Sequence, residues 1–456
     1  ATLLVSALRR CRAASRTRVV VLGAGHEPGR GVAYSTTDGQ HLMNVPVRRL
    51  SVDPENPGHL TRWLDRRESP SGAEAYIPRQ LYGDYLSGVL DEAIAERGSR
   101  ASVVVDLMHG RVISVEPAHT GWRIETADGA SIWARSVVLA GGPPCGPGPF
   151  ALPEDSRVVR DPWSPGALAA LAGLRRVLVV GSGLTMVDVA VTLAAGGVQI
   201  CAVSRHGWLP GAHPSVRRPA ARPMDVPVGG LTAATVRRLV VDHARREPNG
   251  WQAGMDDARD HAEEIWAALP QGEQAKLLRR GLSAWMVHRH RMAPVVARRL
   301  DALVDGGRVD VQQGTAQAVH ADEAGVELTV RRDGSLSVLR GDALVICTGP
   351  SADINRTDDL LVRSLLDDGT GIAGPHRLGL AVDRSGALID GHGRSHGSLF
   401  VIGALRHGSL FETRAIPELR SQAAELAPLL IGRLTPSALP STAERSRAPR
   451  AAIGAP

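Results

Sequence analysis

Apolar positions along the chain fall into short runs that alternate between helical and extended spacing. Leu3, Leu4 and Leu8 share one face of a helix over residues 1–10, and the run 18–22, apolar from Val19 onward, predicts a strand after it. A helix feeding a strand is the second half of a β-α-β unit. The pattern then predicts a helix over 80–96, behind Pro78 and Arg79, and strands at 102–106, 122–126 and 136–139. Proline and glycine crowd residues 143–165 and predict a linker. A second β-α-β unit follows: a strand at 177–180, a glycine loop, a helix through Leu193 and a strand at 199–203. Residues 232–303 are largely of helical pattern. Strands return near 308–311, 326–331 and 343–346, and a strand at 399–402 precedes a turn and a helix over 416–431. The Pro-, Ala-, Ser- and Arg-rich tail reads as disordered.

The strongest chemical signal is the loop Gly181, Ser182, Gly183, Leu184, Thr185, Met186, Val187, Asp188. It leaves an apolar strand and opens an amphipathic helix, the context that a dinucleotide-binding loop requires. Gly181 permits the tight turn, and Gly183 lets the backbone approach a pyrophosphate. The helix N-terminus supplies free N–H groups and the positive end of its dipole. A purely structural turn is the other reading. The second strand of this unit ends in Ser204 and Arg205. An arginine in place of the usual ribose-binding acid suits the 2′-phosphate of NADPH, although an ordinary surface arginine would look the same.

Two further apolar strands stop at small residues, one at Ala140, Gly141 and Gly142, the other at Cys347, Thr348 and Gly349. Such ends suit close passage of backbone past a cofactor. Flanking the nucleotide unit, they suggest one Rossmann unit inserted into another. In the C-terminal stretch a strand ends at Gly403, and Glu412, Ala415 and Ile416 precede Pro417, a good first-turn residue. A helix N-terminus there could face a flavin and stabilise its reduced anion.

Bulk properties narrow the classes. The 456 residues carry a net charge of +6, yet the arginines interleave with acids and aromatics make up 3%. Stacking platforms for single-stranded nucleic acid need more, so the charge reads as compositional bias. Lys276 is the sole lysine. Cys11, Cys145, Cys201 and Cys347 are far apart, with no C-x-x-C pair. They read as buried thiols of a cytoplasmic protein rather than as a metal or dithiol centre. No run approaches the ~18 apolar residues of a membrane span.

Longer motifs carry a resemblance. Gly29 to Tyr34, His41-Leu42-Met43-Asn44-Val45-Pro46, Leu50-Ser51, Asp53-Pro54, Trp63-Leu64 and Pro78 to Leu86 carry its first half. Trp285, His288 to Arg291 with Ala293-Pro294, and the stretch Gly403 to Gln422 carry its second. Together they resemble the FAD/NAD(P)-binding family that includes flavin-dependent urate hydroxylases and aspartate N-monooxygenases, over most of residues 18–430. Ornithine and lysine N-hydroxylases are similar at greater distance. The resemblance implies an α/β fold, a Rossmann-type FAD domain with an inserted NAD(P)-binding Rossmann domain. Residues 1–160 and 341–432 would form the FAD domain, 161–340 the NAD(P)H domain with its helical segment, and 433–456 a tail. It places a first FAD strand and glycine loop ahead of residue 1. Neither is in the sequence, so the FAD unit is expected to be incomplete. An acid for the FAD ribose is expected where Gly23 and Ala24 stand, and Glu27 is the nearest candidate.

The chemistry implied is reduction of FAD by NADPH or NADH, uptake of O2 as a flavin hydroperoxide, and hydroxylation of a small polar nitrogenous substrate. Asn44 is the candidate residue beside the flavin ring, with a turn before Pro46 as the alternative. Two other functions stay open: a reductase or oxidase that inserts no oxygen, and a degenerate fold that only binds nucleotide. The cluster His288, Arg289, His290 and Arg291 reads as an ion-pair site ahead of a substrate contact. No nucleic-acid or membrane partner is expected, and the oligomeric state is open.

Overall fold

The computed structural model describes residues 1–10, 17–23, 29–67, 69, 72–98, 103–143, 146–349 and 353–434. Cys11, Ala24, Glu27, Cys145 and residues 435–456 lie outside them.

The apolar run of Arg176–Val180 becomes the centre of a five-stranded parallel sheet. In order, the strands are Val309–Gln313, Gln199–Ser204, Arg176–Val180, Ala343–Ile346 and Val158–Val159. A parallel sheet is covered on both faces, so its strands read as continuous apolar runs rather than as alternation. One face packs on the helices Leu184–Ala195 and Pro294–Asp305. The other face, through Leu178, Val180 and Val203, packs on Val326, Leu328 and Val330 of an antiparallel sheet. That sheet is Thr315–Asp322, Gly325–Arg332 and Ser335–Gly341. Neither of its outer strands was foreseen: Thr315–Asp322 and Ser335–Gly341 lie largely on the surface, and Leu336 and Val338 are exposed.

Both expected boundaries of the inserted unit move. Ala343–Ile346 bonds to Arg176–Val180 and to Val158–Val159, so the sheet of this unit runs from 158 to 346 rather than lying within 161–340. A four-residue apolar strand fits either sheet equally well by pattern, and only its partners decide. The helical stretch is six helices: Ala233–Arg246, Trp251–Asp260, Ala262–Ala268, Gln271–Arg280, Leu282–Arg289 and Pro294–Asp305.

In the flanking unit, Thr17–Gly23 pairs in parallel with Val103–His109. Ser395–Val401 pairs in parallel with Val137–Leu139 and antiparallel with Ala387–Ile389. Thr17–Gly23 and Val137–Leu139 each end their sheet among the described residues. A small antiparallel sheet, Val112–Ala118, Gly121–Thr126 and Ser131–Ala134, packs beneath through Val115, Trp122 and Ile124. The helix Thr2–Arg10 inserts Val5 and Leu8 into a core with the helix Arg79–Gly98, and Leu3 packs against the cluster of Ala387, Phe400 and Leu426, the last from the helix Ile416–Leu434. That last helix runs beyond its expected end at 431 and takes in Arg433 and Leu434, which the domain division implied by the resemblance put in the tail. No helix among the described residues is long and apolar enough to cross a membrane.

Candidate dinucleotide sites

The loop after Arg176–Val180 is built as its sequence requires. Gly181 has φ 110°, in the left-handed region, and its N–H donates to Val203 O at 2.8 Å. A Cβ there would lie 2.7 Å from the Cys347 carbonyl carbon and closer still to its oxygen. Gly181 is therefore glycine because the strand end at Cys347 crosses it. Gly183, with φ −82° and ψ −169°, caps the helix Leu184–Ala195. A Cβ on it would meet nothing within 4 Å. The amides of Leu184 and Thr185, in the first turn, have no carbonyl one turn back to bond. Open space in front of unpaired amides fits the pyrophosphate of a dinucleotide.

The hydroxyls of Ser182 and Ser204 are occupied. Ser182 Oγ lies 2.5 Å from Trp208 O and 2.7 Å from Ser204 Oγ, and the Gly207 N–H donates to Ser204 Oγ at 3.1 Å. A carbonyl only accepts, so the single Ser182 hydrogen goes to Trp208 O, and Ser204 donates to Ser182. Arg205 is exposed, with one bond to Ser283 Oγ at 3.1 Å.

Asp188, a candidate cofactor residue by its place in the loop motif, turns inward. Its Oδ2 lies 2.8 Å from Arg79 Nη2, and both side chains are nearly buried. Burial pushes the Asp188 carboxyl above the usual carboxylate range, against the pull of Arg79 and His41. The same helix carries Thr192, which donates to Asp38 Oδ2 at 2.5 Å and meets His41 Nε2 at 2.9 Å. The nucleotide helix is thus tied to the segment leading into Asn44. Nothing in the sequence signals that Arg79 is the partner of Asp188, because the pairing crosses units.

Gly141, Thr348 and Gly349 are exposed at their strand ends, and a Cβ on Gly141, Gly142 or Gly349 would meet nothing within 4 Å. Gly403 has φ 78°, and its N–H donates to the buried Gln422 Oε1 at 2.8 Å. Ala415 and Ile416 stand at the start of Ile416–Leu434. Glu412 is engaged: Arg289 Nε and Nη2 reach its two carboxylate oxygens at 3.0 and 2.9 Å, and Trp285 Nε1 donates at 3.0 Å. Its main-chain N–H donates to Glu263 at 2.6 Å, and Trp266 Nε1 donates to Gly408 O at 2.9 Å. The helical segment therefore holds the 408–418 loop in place. Arg291, 2% exposed, pairs with Asp256, which also takes Arg217. In the cluster His288 to Arg291, both arginines are thus in ion pairs.

Asn44 is half-buried, and its amide bonds to no described residue, while its main-chain oxygen accepts from His213 Nε2 at 2.8 Å. Burial, with Arg291 nearby, pushes the His213 ring down to about 4, so it is neutral. His213 and Arg217 line a cavity of about 330 Å³ together with Tyr76. No helical or strand periodicity marks His213, and the sequence did not single it out.

Comparison with known proteins agrees with this architecture. The model of a family described as FAD-NAD(P)-binding matches residues 1–144. Uncharacterized proteins of Mycobacterium bovis and Mycobacterium tuberculosis are 30% identical over 186 residues, which cover 34% of this chain and 34% of theirs. The chain thus matches about a third of the length of these relatives. Among solved structures, the reduced form of an ornithine hydroxylase from Pseudomonas aeruginosa superposes with a TM-score of 0.60 at 17% identity, covering 95% of this chain and 97% of that one. A cadaverine monooxygenase of Erwinia amylovora, bound to FAD, gives 0.61 at 16% identity, covering 100% and 97%. An L-lysine 6-monooxygenase from Pseudomonas syringae gives 0.61 at 17%, covering 95% and 96%.

Proposed function

We propose that this chain, which has the fold of the two-dinucleotide flavoproteins, is an FAD- and NAD(P)H-dependent oxidoreductase of the monooxygenase type, acting in the cytoplasm on a small polar nitrogenous compound. The observation that carries the reading is the Gly181 to Thr185 loop. Its open Gly183 and free first-turn amides sit at the carboxyl end of a parallel sheet, where nucleotides bind in this class of fold. The matched family and the solved neighbours support FAD as the second group. The neighbours' substrates, amines by their names, support the nitrogenous class.

In this reading the Leu184 and Thr185 amides hold the coenzyme pyrophosphate. Asn44, Gly141, Thr348, Gly349, Gly403, Ala415 and Ile416 border the flavin. Bound FAD would supply hydride acceptance and oxygen activation, chemistry that no side chain provides. Ser182, Ser204, Asp188 and Glu412 act differently from a direct ligand: their polar groups are spent on holding the loop, the helix and the C-terminal stretch. O2 and the small substrate are the remaining reactants.

Supplied with FAD, the purified protein should oxidise NADPH and give a hydroxylated product from an amine or amino acid. Release of peroxide with no such product would favour a reductase or oxidase instead. Absence of flavin binding together with absence of NADPH oxidation would sink the enzyme reading.

Coenzyme choice is a separate expectation. The exposed Arg205 guanidinium can pair bidentately with a 2′-phosphate. NADPH should bind more tightly than NADH, and Arg205→Ala should weaken NADPH about tenfold while leaving NADH nearly unchanged. Equal affinities for the two coenzymes in the unsubstituted protein would rule this out.

A further inference from the structure

Trp208 is 42% exposed. It is also ordered by its neighbours. Its indole stacks on the His206 imidazole, with ring centroids 4.3 Å apart and planes 18° from parallel. The turn between them is fixed by Gly207, which has φ 64°. A Cβ on that glycine would come within 3.3 Å of the Gln313 backbone, on the neighbouring strand.

The hydroxyl chain described above has one direction along its whole length. Gly207 N–H donates to Ser204, Ser204 to Ser182, and Ser182 to the Trp208 carbonyl. It welds the turn carrying Trp208 to the second residue of the glycine loop. A flat, partly exposed ring pair is therefore held in fixed relation to the amides of Leu184 and Thr185. It stands immediately after Arg205, at the carboxyl end of the second strand of the unit. That end of a nucleotide unit receives the adenosine half of a dinucleotide.

We propose that the His206–Trp208 pair is a stacking platform for the adenine ring of the coenzyme, with the exposed indole as its main surface. The inference rests on the coenzyme reading of the Gly181 loop and adds a specificity element to it. Stacking is indifferent to the phosphate on the ribose, so the platform acts on NADH and NADPH alike. Arg205 then separates the two. A purine is selected over a smaller base because it covers more of the indole, and the aromatic face needs no hydrogen-bond match.

The test uses 2′,5′-ADP, which carries the adenosine half alone, and reduced nicotinamide mononucleotide, which carries the other half. Binding is measured by calorimetry on the full chain. Trp208→Leu should weaken 2′,5′-ADP and NADPH roughly tenfold, the range typical of base stacking on an aromatic side chain. It should shift reduced nicotinamide mononucleotide by less than about twofold, and Trp208→Phe should restore most of the loss. The Trp208 hydrogen bond uses the main chain, so these substitutions leave the hydroxyl chain in place. If 2′,5′-ADP binds the unsubstituted protein and Trp208→Leu equally well, the platform is refuted while the coenzyme site stands. If the unsubstituted protein binds neither 2′,5′-ADP nor NADPH, the coenzyme reading falls, and the platform with it.

Discussion

Asp188→Ala is expected to lower the free energy of unfolding by about 3–5 kcal/mol, the usual result of stripping one partner from a buried ion pair. Arg79 and Asp188 have only 15% and 9% of their side-chain surface exposed. With the carboxylate gone, the guanidinium keeps the Leu42 carbonyl at 3.2 Å and the Trp163 ring at 5.6 Å, neither of which offsets its charge. The loss measures the stranded cation rather than the worth of the pair. Burial already raises the Asp188 carboxyl, a sign that desolvation outweighs the attraction. The double variant Arg79→Met with Asp188→Leu should therefore recover most of the stability. Urea unfolding of the two variants decides the matter. A single variant within about 1 kcal/mol of the parent would show that solvent reaches the pair.

Gly181→Ala should be nearly as damaging, for a different reason. At φ 110° any side chain is strained, which costs about 1–3 kcal/mol. The new Cβ also strikes the Cys347 carbonyl group, which is backbone and cannot rotate away. The Cys347 N–H donates to Val180 O at 2.7 Å, so the two chain segments are bonded where the clash falls. Together these should remove about 3 kcal/mol or more and lower the thermal midpoint by several degrees. Gly183 is the contrast. Its backbone is extended and its surroundings are open, so Gly183→Val should melt close to the parent. The same variant should lose coenzyme binding, because the branched side chain occupies the space of the pyrophosphate. Normal coenzyme affinity in Gly183→Val would remove the main support for the site, whatever its stability.

The two glycines show what the sequence could and could not convey. A G-x-G pair between an apolar strand and a helix was legible, because strand, turn and helix are adjacent in the chain, although the helix is buried nearly all round rather than amphipathic. The different duties of the glycines were not, because Gly181 answers to Cys347, far along the chain. The same holds for Asp188. Its position in the motif suggested a cofactor contact, and its partner Arg79 belongs to another unit. Glu412 was visible as a charged residue before a helix, but Arg289 and Trp285 approach it from the inserted helices. The strand Ala343–Ile346 was placed correctly and assigned to the wrong sheet, since pairing leaves no trace in four apolar residues. Local chemistry was readable, and contacts across units were not.

The place of each strand in the five-stranded parallel sheet determines how readily its amides exchange with solvent. In a parallel strand, alternate amides point to opposite sides. On the end strand Val309–Gln313 one set is held by Gln199–Ser204 and the other points away from the sheet. The outward set can trade hydrogen for deuterium without any cooperative opening, because no ladder bond has to break first. Arg176–Val180 has a strand on either side, and its amides are released only when the whole five-stranded sheet opens. The coenzyme loop thus springs from a slow-exchanging interior strand of that sheet.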